Sequence, residues 1–500
     1  MRGTAVVAVA EDSSLKELPV YNLHQARSPD PLVLISIDSS SGSPGEVTLN
    51  GGTQGPNKAV GLRELEASLP ITESRKGTVY SAMFHILCSG IGFQALLLPV
   101  AFATLGWGWS ILCLLLAYSW KLYSTWLLVH LHETVPGTRH SRYLRLSIAA
   151  FGLKLGKLLT IFPVMYLSGG SCVMLIITGG GVMEQIFKIM RGDGALSLTG
   201  TEWFLVFTCI AILMAQMLPN LNSIAKVSLT GAITAIGYCT LIWVLTLSKG
   251  RHGNISHDTS TVEKSGMRGF GNIMNAIGII VLVFKGHNLV LEIEGTLPSN
   301  AKHLACKSMW RGVTVSYIII AICLFPLAIV GFWAYGNNVH MNLGTLSAFS
   351  RFHRHDTSKY VIGLIYLLLL IGCLCSYQIY AMPVFDNLEF IYISKKKKPC
   401  SRLVRAGLRL FFGGLTFLIA VAFPFLGSLA ILLGGMTLSL LTYAYPCFMW
   451  NSIKRPQKNG VIWCLNFGLG CLGIVLSMLL VVAAAWNLAD KGLNANFFKP

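Results

Sequence analysis

The chain has 500 residues, of which 53% are hydrophobic and 12% charged, and its mean hydropathy is +0.62. This composition excludes an ordinary soluble fold, and the long continuous apolar runs exclude a transmembrane β-barrel, whose strands alternate apolar and polar residues. The net charge of +18 does not indicate nucleic-acid binding, because the basic residues cluster between apolar runs, as expected of loops beside an anionic cytosolic leaflet. The sequence predicts an all-α polytopic membrane protein.

Residues 1–76 form a separate compositional zone. They are rich in Ser, Gly and Pro, carry scattered charges and lack a sustained hydrophobic period. The zone has no basic start followed by an apolar core and a cleavage site, so it does not resemble a signal peptide. We predict a disordered N-terminal tail that stays in the cytosol.

Residues 77–487 are predicted to form one eleven-helix domain, at about 20 apolar residues per crossing. The predicted spans, numbered one to eleven along the chain, are 79–104, 108–131, 156–187, 201–218, 225–247, 270–291, 311–335, 358–386, 403–422, 424–450 and 461–487. Basic residues favour the loops that a cytosolic N-terminus would place inside, and the short tail 488–500 then lies outside. Asn254 begins an N-x-S sequon in a predicted outside loop, so it is a candidate glycosylation site, although such a short pattern also arises by chance.

The first span is interrupted by SGIGFQALLLP (89–99), which contains two glycines, a glutamine and a proline. A discontinuous membrane helix frees backbone groups that can bind a ligand, for example a carboxylate at the N-terminus of a half-helix. The candidate substrate-binding residues here are Ser89, Gly90, Gly92 and Gln94.

The sixth span is interrupted by VFKGHNLVLEIEG (283–295), so that four further candidates follow one another: Lys285, Gly286, His287 and Asn288. Ionisable residues at membrane depth usually face a cavity or a partner. An alternative is that the sixth span begins later and this cluster is an interfacial loop. Two interrupted helices at these positions predict two inverted five-helix repeats, with a binding site between them near the bilayer midplane.

Other polar residues within the spans have simpler interpretations. Lys226 either snorkels to the interface or supplies an ammonium in place of a coupling cation, and Lys121 is predicted to be interfacial or snorkelling. Glu184 either pairs with a basic group or ends a helix, and Asp386 is placed at the cytosolic end of the eighth span. The sequence has no HExxH, GxSxG or GxxxxGK[ST] motif and no zinc spacing of cysteines, so we predict no enzyme, no metal and no cofactor.

From about residue 78 to 486 the chain resembles the plant amino acid/auxin permease family. Within that family it resembles the lysine-histidine-type amino acid transporters, and among these the branch called lysine-histidine-transporter-like proteins. The matching runs are LGWGW (105–109), LPNLNSI (218–224), GHNLVLEIEGTLPS (286–299), MWRGV (309–313), SYQIYAMPVFD (376–386) and FPFLG (423–427). The resemblance implies a LeuT-like fold of eleven helices and proton-coupled uptake of amino acids. Two departures bear on substrate, because Gln94 and Lys285 stand where this family commonly has glycine or another small residue.

These observations predict a secondary active transporter that moves amino acids together with protons by alternating access, at the plasma membrane. Lys285 and His287, and in one interpretation Lys226, are the candidates for exchanging the coupling proton. Two alternatives remain open at this point. One is a nutrient sensor with a transporter-like fold that signals through its tail, and the other is an importer of indole acids such as auxin.

Overall fold

The computed structural model describes residues 69, 71, 75–134, 139–192, 198–218, 221, 223–251, 255–258, 266–299, 304–341, 343–396, 398–423 and 434–490. Within these ranges all regular secondary structure is helical. Residues 1–68, Asn254 and residues 491–500 lie outside the described part of the chain, so the predictions of a disordered tail, a glycosylation site and an external C-terminus stay predictions.

The described ranges contain nine helices long and apolar enough to cross a membrane, and a bent pair of helices supplies one more span. The spans are Val79–Gly90 with Phe93–Leu105 for the first, then Trp107–Leu131, Leu153–Arg191, Gly200–Met217, Ala225–Lys249, Gly266–Gly295, Ala305–Asn338, Lys359–Lys396 and Arg402–Ala422 for the second to ninth, and Val461–Asn487 for the eleventh. The predicted tenth span is described from residue 434, as two π-helical runs (Gly434–Leu438 and Leu440–Ala444) and the α-helix Tyr445–Lys454. The predicted polytopic all-α class is confirmed.

Two short helices were not predicted, Tyr143–Phe151 before the third span and Gly344–His353 before the eighth. Both are too short to cross a bilayer and bury only part of their side chains, including Leu146 in one and Phe349 in the other. A search for long apolar runs passes over such half-buried helices, because their polar face interrupts the run.

The packing of the spans follows a repeat. The third span packs on the fourth as the eighth packs on the ninth, and the third and eighth pack on each other. The first span packs on the seventh as the sixth packs on the second. Such contacts are expected of two five-helix repeats, in which each span of the first repeat corresponds to the span five places later in the chain. The same packing brings the interrupted parts of the first and sixth spans together.

Candidate functional site

The first span is broken where its sequence predicts. Its first helix ends at Gly90, Ile91 and Gly92 are extended, and a 3₁₀ turn over Phe93–Leu97 leads into the helix Leu98–Leu105. Pro99 lies in the first turn of that second helix, where a proline has no hydrogen bond to lose. The two halves are bent by 41°.

The sixth span is also broken, between the helix that ends at Val283 and the short helix Val290–Gly295. Gly286 has a φ of +91°, a left-handed conformation that glycine adopts without a steric penalty. Lys285, His287 and Asn288 are 3%, 0% and 0% exposed. The alternative of an interfacial loop is therefore wrong, because these side chains are enclosed by protein.

The two breaks enclose a narrow cavity together with the second and seventh spans. It is lined by Ile86, Ser89, Gly90, Lys121, Thr125, Phe284, Lys285, Gly286, Val290, Ile293, Val313, Tyr317 and Ile320. Four of the predicted site residues are thus brought together: Ser89, Gly90, Lys285 and Gly286. The space left between the side chains has room for about one water molecule, so a larger solute requires them to move apart.

Lys285 reaches from the sixth span to the break of the first. Its Nζ lies 4.5 Å from the ring centroid of Tyr380 and 5.8 Å from that of Phe93, and has no hydrogen-bond partner among the described residues. A Cβ on Gly92 would lie 3.1 Å from this Nζ, so glycine leaves the space that the ammonium occupies. Aromatic faces partly compensate a buried cation, but a hydrogen bond to an anion would do so more fully.

The eighth span supplies two hydroxyls that bind the broken end of the first helix. The Tyr380 hydroxyl donates to the carbonyl oxygen of Ser89 at 2.7 Å, and the Ser376 hydroxyl donates to that of Cys88 at 3.1 Å. A helix end leaves its last carbonyls without intrahelical partners, and these hydroxyls provide them. Both belong to the run SYQIYAMPVFD, which the sequence analysis used for resemblance without assigning the hydroxyls a role.

Lys121 is buried at 4% exposure, so the prediction that it is interfacial was wrong. Its Nζ lies 2.9 Å from Nδ1 of His287. When Lys121 is an ammonium, which only donates, His287 accepts through Nδ1 and carries its own proton on Nε2, which has no partner among the described residues. Thr125 and Tyr317 adjoin the pair and share a hydrogen bond of 2.8 Å.

The other predicted residues lie outside the cavity lining. Asn288 donates to the Ser168 hydroxyl at 3.0 Å and so joins the sixth span to the third. Gln94 is buried against Gly92, and neither its amide nitrogen nor its oxygen has a hydrogen-bond partner within the described residues. Lys226 is exposed in the first turn of the fifth span, as expected of a snorkelling lysine.

An ion pair lies at the end of the molecule at which the first span begins. Arg142, which precedes the helix Tyr143–Phe151, donates to Asp386 of the eighth span through Nε at 2.6 Å and Nη2 at 3.1 Å. The Ile71 amide donates to the same carboxylate at 3.2 Å. Asp386 therefore ties the segment before the first span to the helix before the third.

This N-terminal segment packs more closely than predicted. Leu69 and Ile71 are 0% and 1% exposed, although they fall within the tail predicted to be disordered. The Gly77 amide donates to the carbonyl oxygen of Thr296, at the end of the sixth span, at 3.0 Å. Burial of the Leu69 and Ile71 side chains and pairing of the Ile71 amide stabilise the positions of these two residues.

A second polar group is buried at the same end, beside the last turn of the sixth span. His132 Nδ1 lies 3.6 Å from Glu294 Oε1, and both side chains are fully buried. Arg139 pairs with Glu133 at 2.9 Å and donates to the carbonyl oxygen of Leu297 at 2.8 Å. Burial, and secondly the charge of Arg139, hold the pKa of His132 well below its usual range, so the imidazole is neutral.

Comparison with known proteins places the chain in a family. Residues 75–489 match the family described as "Transmembrane amino acid transporter protein". "Lysine histidine transporter-like 7" of Arabidopsis thaliana is 54% identical over 87% of this chain and 90% of its own length, and "Lysine histidine transporter-like 8" of the same plant is 50% identical over 88% and 84%. A solved structure of a Na+-coupled sialic acid symporter aligns over 87% of this chain and 98% of its own, with 14% identity and a TM-score of 0.48. The chain belongs to the transmembrane amino acid transporter family.

Proposed function

We propose that this protein is a secondary active transporter that carries amino acids across the plasma membrane by alternating access, with its substrate bound between the breaks of the first and sixth spans. The main support for this location of the substrate site is the buried cavity lined by Ser89, Gly90, Lys285 and Gly286. Interrupted helices leave backbone groups free for a ligand at membrane depth, where continuous helices have none to spare. Membership of the family and the names of its relatives support an amino acid as the substrate class.

We propose that the driving ion is a proton, exchanged at the pair of Lys121 and His287. The pair lies beside the cavity, because Lys121 lines it and the two nitrogens are 2.9 Å apart. Two cationic groups at this distance in a buried site repel strongly, so the pair holds one ammonium or one imidazolium but not both. A solute entering the cavity alters the surroundings of Lys121, which couples solute binding to the proton.

The pair of Arg142 and Asp386 supports a conformation that is closed toward its own end of the molecule. The distribution of basic loop residues supports placing this end, and the N-terminus, in the cytosol. On this proposal the ion pair is the inner gate. It must open after the substrate enters from outside, and its opening also releases Ile71 from Asp386.

Uptake by the purified protein in liposomes tests this proposal. A panel of labelled amino acids and indole-3-acetic acid is offered with and without an inward proton gradient. We expect at least one amino acid to accumulate, faster with the gradient and slower in a His287→Gln variant. Equal uptake with and without the gradient would contradict proton coupling, and absence of uptake despite ligand-induced thermal stabilisation would favour a sensor.

A further inference from the structure

The cavity between the two breaks carries an unbalanced charge. Two lysines line it, Lys121 and Lys285, and among the described residues that line it there is no Asp or Glu. Lys121 is hydrogen-bonded to His287, whereas Lys285 contacts aromatic rings and has no hydrogen-bond partner within the described chain. A buried cation without an anionic partner is costly, so this cavity favours a ligand that brings negative charge.

The surroundings of Lys285 also favour a negatively charged ligand. The thiols of Cys88, Cys172 and Cys373 near Lys285 are buried, as is the phenol of Tyr380, and such groups are ordinarily neutral at pH 7. The carbonyl oxygens of Cys88 and Ser89 already accept hydroxyls from the eighth span. A solute's ammonium placed beside Lys285 would therefore meet a like charge, whereas a carboxylate there would meet an ammonium donor that has no hydrogen-bond partner among the described residues.

A neutral amino acid leaves this imbalance in place. Its own ammonium and carboxylate cancel, so binding it beside Lys285 keeps the net positive charge of the cavity. An amino acid with an acidic side chain carries one further carboxylate, and this group can pair with Lys285 while the α-carboxylate occupies the break.

We propose that the substrate carries net negative charge and is an amino acid with an acidic side chain, with Lys285 as the residue that selects it. This inference rests on the proposed transport function and names its substrate class. Lys285 recognises the additional carboxylate through its Nζ, at the point where the ammonium lies against Gly92.

The test compares two solutes of nearly equal shape that differ in charge, glutamate and glutamine. Initial uptake of each is measured with the full-length protein in liposomes, and binding is measured separately as the thermal stabilisation that each produces. We expect glutamate to exceed glutamine about 30-fold or more in both measurements, the low end of what loss of one partner of a buried charge pair produces.

Variants assign the selection to one residue. Lys285→Met should remove most of the glutamate preference, measured as the ratio of glutamate to glutamine in uptake and in thermal stabilisation. Lys226→Met removes an exposed lysine of the fifth span and should leave the ratio unchanged. We expect Lys285→Met to fold, because the change removes a buried charge that has no hydrogen-bond partner among the described residues. Its elution profile in size-exclusion chromatography and its unfolding temperature check this.

The outcomes separate this inference from the proposed function. Glutamine uptake equal to or greater than glutamate uptake in the unaltered protein would overturn the inference and leave amino acid transport standing. Binding of glutamate in preference to glutamine without uptake of either would support the inference and contradict the transporter. A glutamate preference that persists in Lys285→Met would remove Lys285 as its cause and so overturn the assignment.

Discussion

Asp386→Asn should loosen the end of the molecule at which we propose the inner gate. The carboxylate is 1% exposed and accepts from Arg142 at 2.6 Å and 3.1 Å and from the Ile71 amide at 3.2 Å. Replacing it by an amide keeps the shape but removes the carboxylate charge with which Arg142 pairs, and removing one member of a buried ion pair costs about 3–5 kcal/mol. Arg142 is 12% exposed, so the lower end of this range applies.

A loss of this size changes the ratio of closed to open conformations about a hundredfold or more. Hydrogen–deuterium exchange measures it directly, because the Ile71 amide is protected only while it donates to Asp386. We expect faster exchange at Ile71 in the variant, together with a lower rate of uptake, since a gate that stays open cannot complete the cycle.

Glu184→Gln is the matched control for a lost carboxylate. Glu184 pairs with Lys188 at 2.6 Å on the third span, but these side chains are 28% and 39% exposed. Exposed pairs contribute little, typically less than about 1 kcal/mol, so exchange at Ile71 and uptake should match the unaltered protein. Unchanged protection of Ile71 in Asp386→Asn would refute the assignment of this ion pair as the gate.

Three further predictions concern the site and its surroundings. Gly286→Ala places a side chain at a φ of +91° and 3.1 Å from the Ser89 hydroxyl, so it should cost about 1–2 kcal/mol and lower both the unfolding temperature and uptake, whereas Gly181→Ala, with open space around it, should change neither. Tyr380→Phe removes the donor to the Ser89 carbonyl and should reduce uptake with a stability loss of about 1 kcal/mol; uptake equal to that of the unaltered protein would show that this bond is dispensable. His132 is held neutral when folded, so below pH about 6.5 the unfolded chain binds a proton that the folded chain does not, and stability falls as pH decreases. His132→Asn should flatten that decline in unfolding temperature between pH 7.5 and 5.5, and an equally steep decline would assign it to another group.

The sequence predicts the spans and both breaks because each depends on local features. A run of about 20 apolar residues is long enough to cross a bilayer, and glycine or proline within it marks the break. Lys285 and Gly286 were found in this way, since both interrupt an apolar pattern. Lys121 also interrupts an apolar pattern within a predicted span. It lies ten residues before Leu131, the last residue of its helix, so about 15 Å along the helix axis separates the two. A lysine side chain is too short to cross that distance, so the interfacial interpretation of Lys121 was inconsistent with the predicted span.

Contacts between distant parts of the chain could not be predicted in this way. Tyr380 and Ser376 bind carbonyls almost 300 positions earlier, and ordinary hydroxyl residues in an apolar helix give no sign of which backbone they will meet. The pairing of Arg142 with Asp386 likewise depends on how the spans pack. The burial of Leu69 and Ile71 was not predicted, because composition averages over a window and does not single out two apolar residues.

The location of the bound solute tests the central claim most directly. A density map of the full-length protein in a lipid nanodisc, with saturating glutamate, should show the solute between the two breaks, with a carboxylate oxygen within about 3 Å of Lys285 Nζ. The cavity should be wider than in the closed conformation, with Ser89 and Gly286 further apart. Density for the solute at a place remote from both breaks, with this cavity unchanged, would contradict the account.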